Sequence, residues 1–206
     1  SAIYIKSKNV HVENCIFEDN HANKGGALFT VADLDITSGT IVDNCQFRRN
    51  TGYNENFENY SYSGALSVYG RNSVIKNCLF EDNWIKAKQD CFGGAIQVGL
   101  DLPDSNVKVI NCIFKNNRAI SLGSHSHGGA GCVRDGSSYF VNQVVQNAFF
   151  ADEDVVMFVI LSHLDKVTDF AFQANIGYQT FAGLRVDTRQ VTCVGIAVGV
   201  AVLHIK

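Results

Sequence analysis

NCIFEDN at residues 14–20 returns as NCQFRRN at 44–50, NCLFEDN at 77–83 and NCIFKNN at 111–117. The four phrases start at Asn14, Asn44, Asn77 and Asn111, which are 30, 33 and 34 residues apart. A second phrase keeps step with the first: GGAL from Gly25, SGAL from Ser63, GGAI from Gly93 and GGAG from Gly128. Repetition at roughly 30 residues marks stacked units, each too small to bury its own apolar face. Within a unit, Val10 and Val12 alternate with His11 and Glu13, and beyond Asn14 the phase passes to Cys15 and Phe17. That change of phase predicts two short strands meeting at a bend. Asn20, Asn50, Asn83 and Asn117 close the phrases. Asn tolerates unusual backbone angles, and its amide can bond the backbone of the next coil. Gly25 and Gly26 predict a tight turn in which a side chain would strike the adjacent coil.

Working outward, the chain reads as all-β: a right-handed parallel β-helix of about seven coils, with loop insertions on one edge. Residues 1–206 form a single domain, with regular repeats over 1–133 and degenerate coils or a cap over 134–206. In that tail Asn147-Ala148-Phe149-Phe150 reads as a repeat phrase, with Ala148 in the cysteine place. Residues 169–175 read as another, and Thr192-Cys193 as a faint echo. The stretch DVVMFVILSHL at 154–164 reads as strand rather than capping helix, because it is rich in β-branched residues. Open stack ends invite edge pairing, so the chain is expected to be part of a longer one.

Composition narrows the class. Charged residues make up 18% of the chain, the net charge is -3 and proline occurs once. No basic stripe stands out, so nucleic acid is not an expected partner. The apolar run 191–203 is too short and too glycine-rich to cross a bilayer, and would suit only the start of a span continued past residue 206. No charged-then-apolar leader opens the chain, as in a mature or partial form. Cys15, Cys45, Cys78 and Cys112 hold the same place in successive units and read as a column of reduced thiols lining the stack. Strand spacing is close to the disulfide Cα separation, but parallel side chains do not bridge. Cys91 and Cys132 are the two to watch for pairing. Phe17, Phe47, Phe80 and Phe114 form the matching aromatic ladder.

The paired GGA[I/L] and FxxN phrases resemble those of the chlamydial polymorphic outer-membrane proteins. The FxxN matches are Phe17 with Asn20, Phe47 with Asn50, Phe80 with Asn83 and Phe114 with Asn117. The glycine phrase matches around Gly25, Gly64, Gly93 and Gly128, with Ser63 replacing one first glycine. The resemblance covers residues 1 to 133 well and the rest weakly. It implies a β-helical passenger that acts as a surface adhesin, and it carries over fold rather than chemistry.

The insertions between FxxN and GGA fall at one phase, so they are expected side by side on one edge. They carry Tyr53, Phe57, Tyr60, Tyr62, Trp84, Phe92, His125 and His127. Rigid aromatics on neighbouring loops suit stacking on sugar rings or anchoring a protein. The competing reading is that they cover the solenoid edge and pack on one another. For an enzyme of the polysaccharide lyase or glycoside hydrolase type, two placed carboxylates are needed. The available pairs are Asp33 with Asp35, Asp101 with Asp104 and Asp152 with Asp154. Lyase sets would be Asp90 with Lys86 and Lys88, or Asp135 beside Arg134. None recurs in register, and no catalytic residue is assigned. His125 and His127 with Cys91 or Cys132 match no strong metal spacing, so neither metal nor cofactor is expected. The Gly-Gly pairs precede strands rather than helices, the reverse of a phosphate cradle. Asn59-Tyr60-Ser61 is an N-glycosylation acceptor triplet.

The expectation is a structural or adhesive module, extracellular or at a cell surface, that contacts other protein subunits or surface glycans. A carbohydrate-active enzyme and a non-catalytic subunit of a larger assembly are the alternatives.

Overall fold

The structure is a computed structural model. It describes residues 1–7, 9–22, 26–31, 39–53, 60–99, 106–122, 126–127, 129–133, 139–146, 149–150, 154–155, 158–160, 167–173, 185–187 and 202–204. Every regular element among them is a strand.

The second coil shows the route of the chain. Leu28–Thr30 forms one strand, Ile41–Asp43 and Gln46–Arg48 follow on either side of Asn44, and Thr51–Tyr53 runs along a third face. The next coil repeats this with Leu66–Val68, Val74–Lys76, Leu79–Glu81 and Trp84–Ala87, each parallel to its predecessor. Six strands stack in the first sheet, from Ile3–Ile5 to Phe158–Ile160. In the second sheet the two ladders are joined by Tyr139–Gln146, one strand that pairs with both Lys108–Ile110 and Ile113–Lys115. The fold is therefore a parallel β-helix.

Alternation decides the core. Leu28, Leu66 and Ile96 point inward from the first sheet, and Val42, Ile75 and Val109 from the second, all essentially inaccessible. Phe17, Phe47, Phe80 and Phe114 stack with centroids 4.8, 4.9 and 4.9 Å apart and nearly parallel planes. Strand spacing imposes that geometry, since each ring sits one ladder step above its equivalent.

The repeat phrase divides its labour between its two asparagines. Asn14, Asn44, Asn77 and Asn111 adopt φ of 49 to 54°, and this left-handed residue makes the bend between the two strands. At the far corner the left-handed residue is Asp19, Arg49, Asp82 or Asn116, one place before the final asparagine. Asn20, Asn50, Asn83 and Asn117 thus act by their amides rather than by an unusual backbone. Asn83 Nδ2 donates to Phe47 O at 2.9 Å and to Asn117 Oδ1 at 3.0 Å. Asn83 Oδ1 accepts from the backbone N–H and the Nδ2 of Asn50, both at 3.0 Å. Polar groups buried at the corner are satisfied coil to coil.

The thiol column is present and unbridged. Cys45, Cys78 and Cys112 each donate to the carbonyl two residues earlier, at 3.2, 3.1 and 3.4 Å. All six cysteines among the described residues are free, Cys91 and Cys132 included.

The second glycine of the first three GGA-type phrases has a steric cause. A Cβ on Gly26 would lie 1.7 Å from Gly64 O, one on Gly64 2.1 Å from Gly94 O, and one on Gly94 1.9 Å from Gly129 O. The carbonyl of the next coil fills the space a side chain would need.

The tail departs from its expected register. Ile113 pairs with Val144, and Lys115 with Gln146, so the Asn111 place falls to Asn142 rather than Asn147. Val145 then stands where Phe114 stood, and Phe149 pairs with Arg118 in the third sheet. The described part of the next phrase, residues 169–173, is in its expected register, with Phe172 paired to Val145. Phe158–Ile160 pairs parallel with Gly131–Val133, as a strand reading of 154–164 requires. Asp154–Val155, Val202–His204 and Arg185–Asp187 instead form a small antiparallel sheet. Cys193 lies outside the described residues.

Candidate functional site

The insertions are more regular than loops. Their first parts form the third sheet: His21–Ala22, Thr51–Tyr53, Trp84–Ala87 and Arg118–Ser121 pair in parallel register. Their later parts form a fourth: Tyr60–Ser61, Asp90–Phe92 and Ser126–His127. Gly52, Ile85 and Ala119 point inward from the third sheet and are buried. Their neighbours in sequence therefore project outward.

One outward column is His21, Thr51, Trp84 and Arg118, and a second brings together Tyr53, Lys86 and Ile120. The Tyr53 ring lies 6.0 Å from Trp84, tilted by 40°, and 6.2 Å from His21, tilted by 55°. Lys86 Nζ sits 5.9 Å above the Tyr53 ring, within cation–π range. His21 Nδ1 and Thr51 Oγ1 are 2.6 Å apart, which steadies the imidazole. Arg118 is exposed beside Trp84, and Tyr53, Trp84 and Lys86 are half-buried. Tilted rings held by a rigid sheet and flanked by two cations form a surface suited to a planar, hydroxylated or anionic ligand.

The other expected residues have different roles. Phe92 is buried, with Cys132 beneath it and Tyr62 packed against both. Tyr62 stacks with Phe92 at 6.3 Å and meets Tyr69 edge-on at 5.9 Å. This group covers the outer side of the first sheet, where Ser67, Gln97 and Cys132 are inaccessible although they alternate with core residues. Tyr69 Oη donates to Gln97 Oε1, and Gln97 Nε2 donates to Gly99 O at 2.9 Å. Phe92 and Tyr62 therefore hold a satellite core, with Phe92 buried in it. Tyr60 and His127 lie in the fourth sheet. Phe57, Asn59 and His125 fall outside the described residues, as do Asp33, Asp35, Asp101, Asp104, Asp135 and Asp152.

Glu18, Asp19, Asp43 and Glu81 each face a cation on a neighbouring coil. Arg49 Nε and Nη2 donate to Asp19 at 2.8 and 2.9 Å, and Lys76 Nζ meets Asp43 at 3.0 Å. The hydrogen bond from Arg49 holds the Asp19 carboxyl below its ordinary range, and those from Lys76 and Asn77 do the same for Asp43. A general acid needs the opposite shift. Among the described residues no group of three His, Cys, Asp or Glu side chains is placed to hold a metal ion, and no helix is long and apolar enough to cross a membrane.

Of the residues on this face, the sequence reading names Tyr53 and Trp84 as binding residues and Lys86 only beside Asp90 as a lyase set, and it does not name His21 or Arg118. The alternation in WIKA and RAIS was the available signal: a buried Ile85 or Ala119 implies outward neighbours on both sides. No curated protein and no solved structure matches the chain. The model of the right handed beta helix region matches residues 1–155, three-quarters of the chain and all of the regular coils just described. The chain belongs to that right-handed β-helix family.

Proposed function

We propose that this chain is a non-catalytic structural and adhesive module, extracellular or at a cell surface. In this reading it contacts a partner protein or a surface glycan through the outer face of its third sheet. The observation that carries the reading is the register that brings Tyr53, Trp84 and Lys86 together on one rigid face, with Arg118 adjoining. A stack whose core is repeated coil by coil is a stiff support, and outward positions are free to vary in recognition. The GGA[I/L] and FxxN phrases support a place in the repeat class of the chlamydial polymorphic outer-membrane proteins. Carboxylates engaged in coil-to-coil ion pairs support a non-catalytic role.

The test compares the parent chain with a Tyr53→Ala, Trp84→Ala double variant on an array of neutral and acidic glycans and on intact cells. The reading expects at least tenfold weaker binding with a nearly unchanged melting temperature, since both side chains point away from the core. Equal binding by the double variant would remove this face from the proposal. Chain shortening or new unsaturated ends after incubation with polysaccharides would overturn the non-catalytic part.

A further inference from the structure

The outer face of the second sheet also has a pattern, and it is a different surface from the aromatic one. Register aligns Ile16 with Gln46, Leu79 and Ile113, and aligns Glu18 with Arg48, Glu81 and Lys115. Ile16 is 63% exposed and Ile113 38%. Across the bend, Ile41 is 36% exposed and stands beside Val74 in its own column. Isolated exposed apolar residues are ordinary. An apolar stripe bordered by charge on a regular sheet is the form an interaction surface takes.

The bordering charges alternate in sign from the first coil to the fourth: Glu18, Arg48, Glu81, Lys115. Within one chain this order pairs neighbours, as in the 3.6 Å approach of Arg48 Nε to Glu81 Oε2. It is also self-complementary. A two-fold axis lying along the strands, between the second and third coils, sets each column against itself in reverse coil order. Glu18 then faces Lys115, Arg48 faces Glu81, and Ile16 faces Ile113. The inner pairs of the flanking columns obey the same rule, with Asp43 facing Lys76, Ile41 facing Val74, and Arg49 facing Asp82. The remaining pairs set Gln46 against Leu79, Glu13 against Ile110, His11 against Lys108 and Asp19 against Asn116. In none of these columns does a carboxylate meet a carboxylate, or a guanidinium an ammonium. Docking with the coils in the same order, about an axis parallel to the stack and through this column, would instead set Glu18 on Glu18 and Arg48 on Arg48. In the fifth and sixth coils this column continues with Gln146 and Gln173, both neutral, so the alternation is confined to four coils and fixes where the axis lies.

We propose that a second copy of this chain docks on this face, antiparallel, as an isologous dimer. The third sheets of both copies remain outside the contact, so the dimer is bivalent for whatever the aromatic face binds. Four coils of a two-ladder sheet offer less than the roughly 800 Å² per partner of a standard interface, so the dimer is a weak one.

The test is sedimentation velocity of the full chain from a few to several hundred micromolar, a range matched to a small interface. The parent is expected to move from monomer to dimer across it, with dissociation promoted by salt. Glu18→Lys alone and Lys115→Glu alone each set like charges face to face, and each should weaken the dimer at least tenfold. In a mixture of the two variants, the lysine introduced in one meets the glutamate introduced in the other. The unaltered Lys115 of the first then meets the unaltered Glu18 of the second. Opposite charges face each other at both places, so the mixture should recover the dimer as a heterodimer. Thermal melts of each variant confirm that the fold is kept. A parent that stays monomeric at the highest concentration overturns the proposal. So does a dimer that both single variants leave intact, or a mixture that fails to recover.

Discussion

The inside of the stack and the outer face of the third sheet are built from the same coils, yet they differ in what each residue touches. Inside, Phe47 lies between Phe17 and Phe80, and Asn83 lies between Asn50 and Asn117. Every residue there meets its own equivalents one coil away, so a change of shape in one coil is felt in two others. On the outer face, His21, Thr51, Trp84 and Arg118 share one column, and each has solvent on its free side. Repetition is thus a consequence of contact between equivalents, and variation is permitted where that contact is partial.

The largest break in this comparison comes from Gly94→Ala. Its Cβ would lie 1.9 Å from Gly129 O, a backbone atom that can withdraw only by parting two coils. A loss of at least about 4 kcal/mol, or failure to fold, is expected in urea unfolding. Asn83→Ala is next. It leaves the backbone N–H of Asn50 and the carbonyl of Phe47 without their side-chain partner in a fully buried corner. About 3 kcal/mol should be lost, and hydrogen exchange at the Asn50 amide should accelerate more than exchange in the third sheet.

The thiols test the same contrast through pH. Hydrogen bonding to Cys112, followed by burial, pushes the Cys78 thiol up to about 12. Burial pushes Cys91 up to about 12 as well. In the unfolded chain such thiols ionise near pH ~8.5. Above that pH the unfolded state binds fewer protons than the folded one. Stability from each thiol is therefore full below pH ~8.5 and is lost toward 12, at about 1.4 kcal/mol per pH unit. Urea midpoints at pH 8, 9 and 10 should fall, and Cys78→Ala should flatten the slope. An unchanged slope in that variant would mean that the column is open to water.

The smallest effect has the opposite sign. Thr30 breaks an inward column that it shares with Ile5, Val68 and Val98, among others, and its buried hydroxyl has no hydrogen-bond partner. Thr30→Val removes that polar group at nearly constant shape, and a gain of about 1 kcal/mol is expected. A loss on this substitution would show that the column tolerates irregularity better than the contact argument allows.

The legible part of the chain follows the same division. NCxFxxN could be read because Asn14 bends the backbone, Cys15 and Phe17 line the core, and Asn20 bonds the next coil, the same roles in four coils. The fifth coil was misplaced because Asn147 resembles a phrase start, while Asn142 precedes Gln143 and Val145 instead of cysteine and phenylalanine. With the diagnostic side chains gone, only pairing with Ile113–Lys115 fixes the register. The aromatic residues divided in a way that their types do not reveal. Trp84 is outward because Ile85 fills the core, whereas Phe92 is covered because Tyr62 and Cys132, from two other coils, meet it.

By itself, the sequence determined that the chain stacks, which residues line it, and where each coil bends. Those properties belong to single coils and repeat from one to the next. Only the tertiary structure decided which aromatics face outward, that Lys86 lies over Tyr53, and that Glu18, Arg48, Glu81 and Lys115 fall in one line. These depend on the register between coils separated by insertions of unequal length. Register is set by the packing of inward side chains, so the outward columns become readable only once that packing is known.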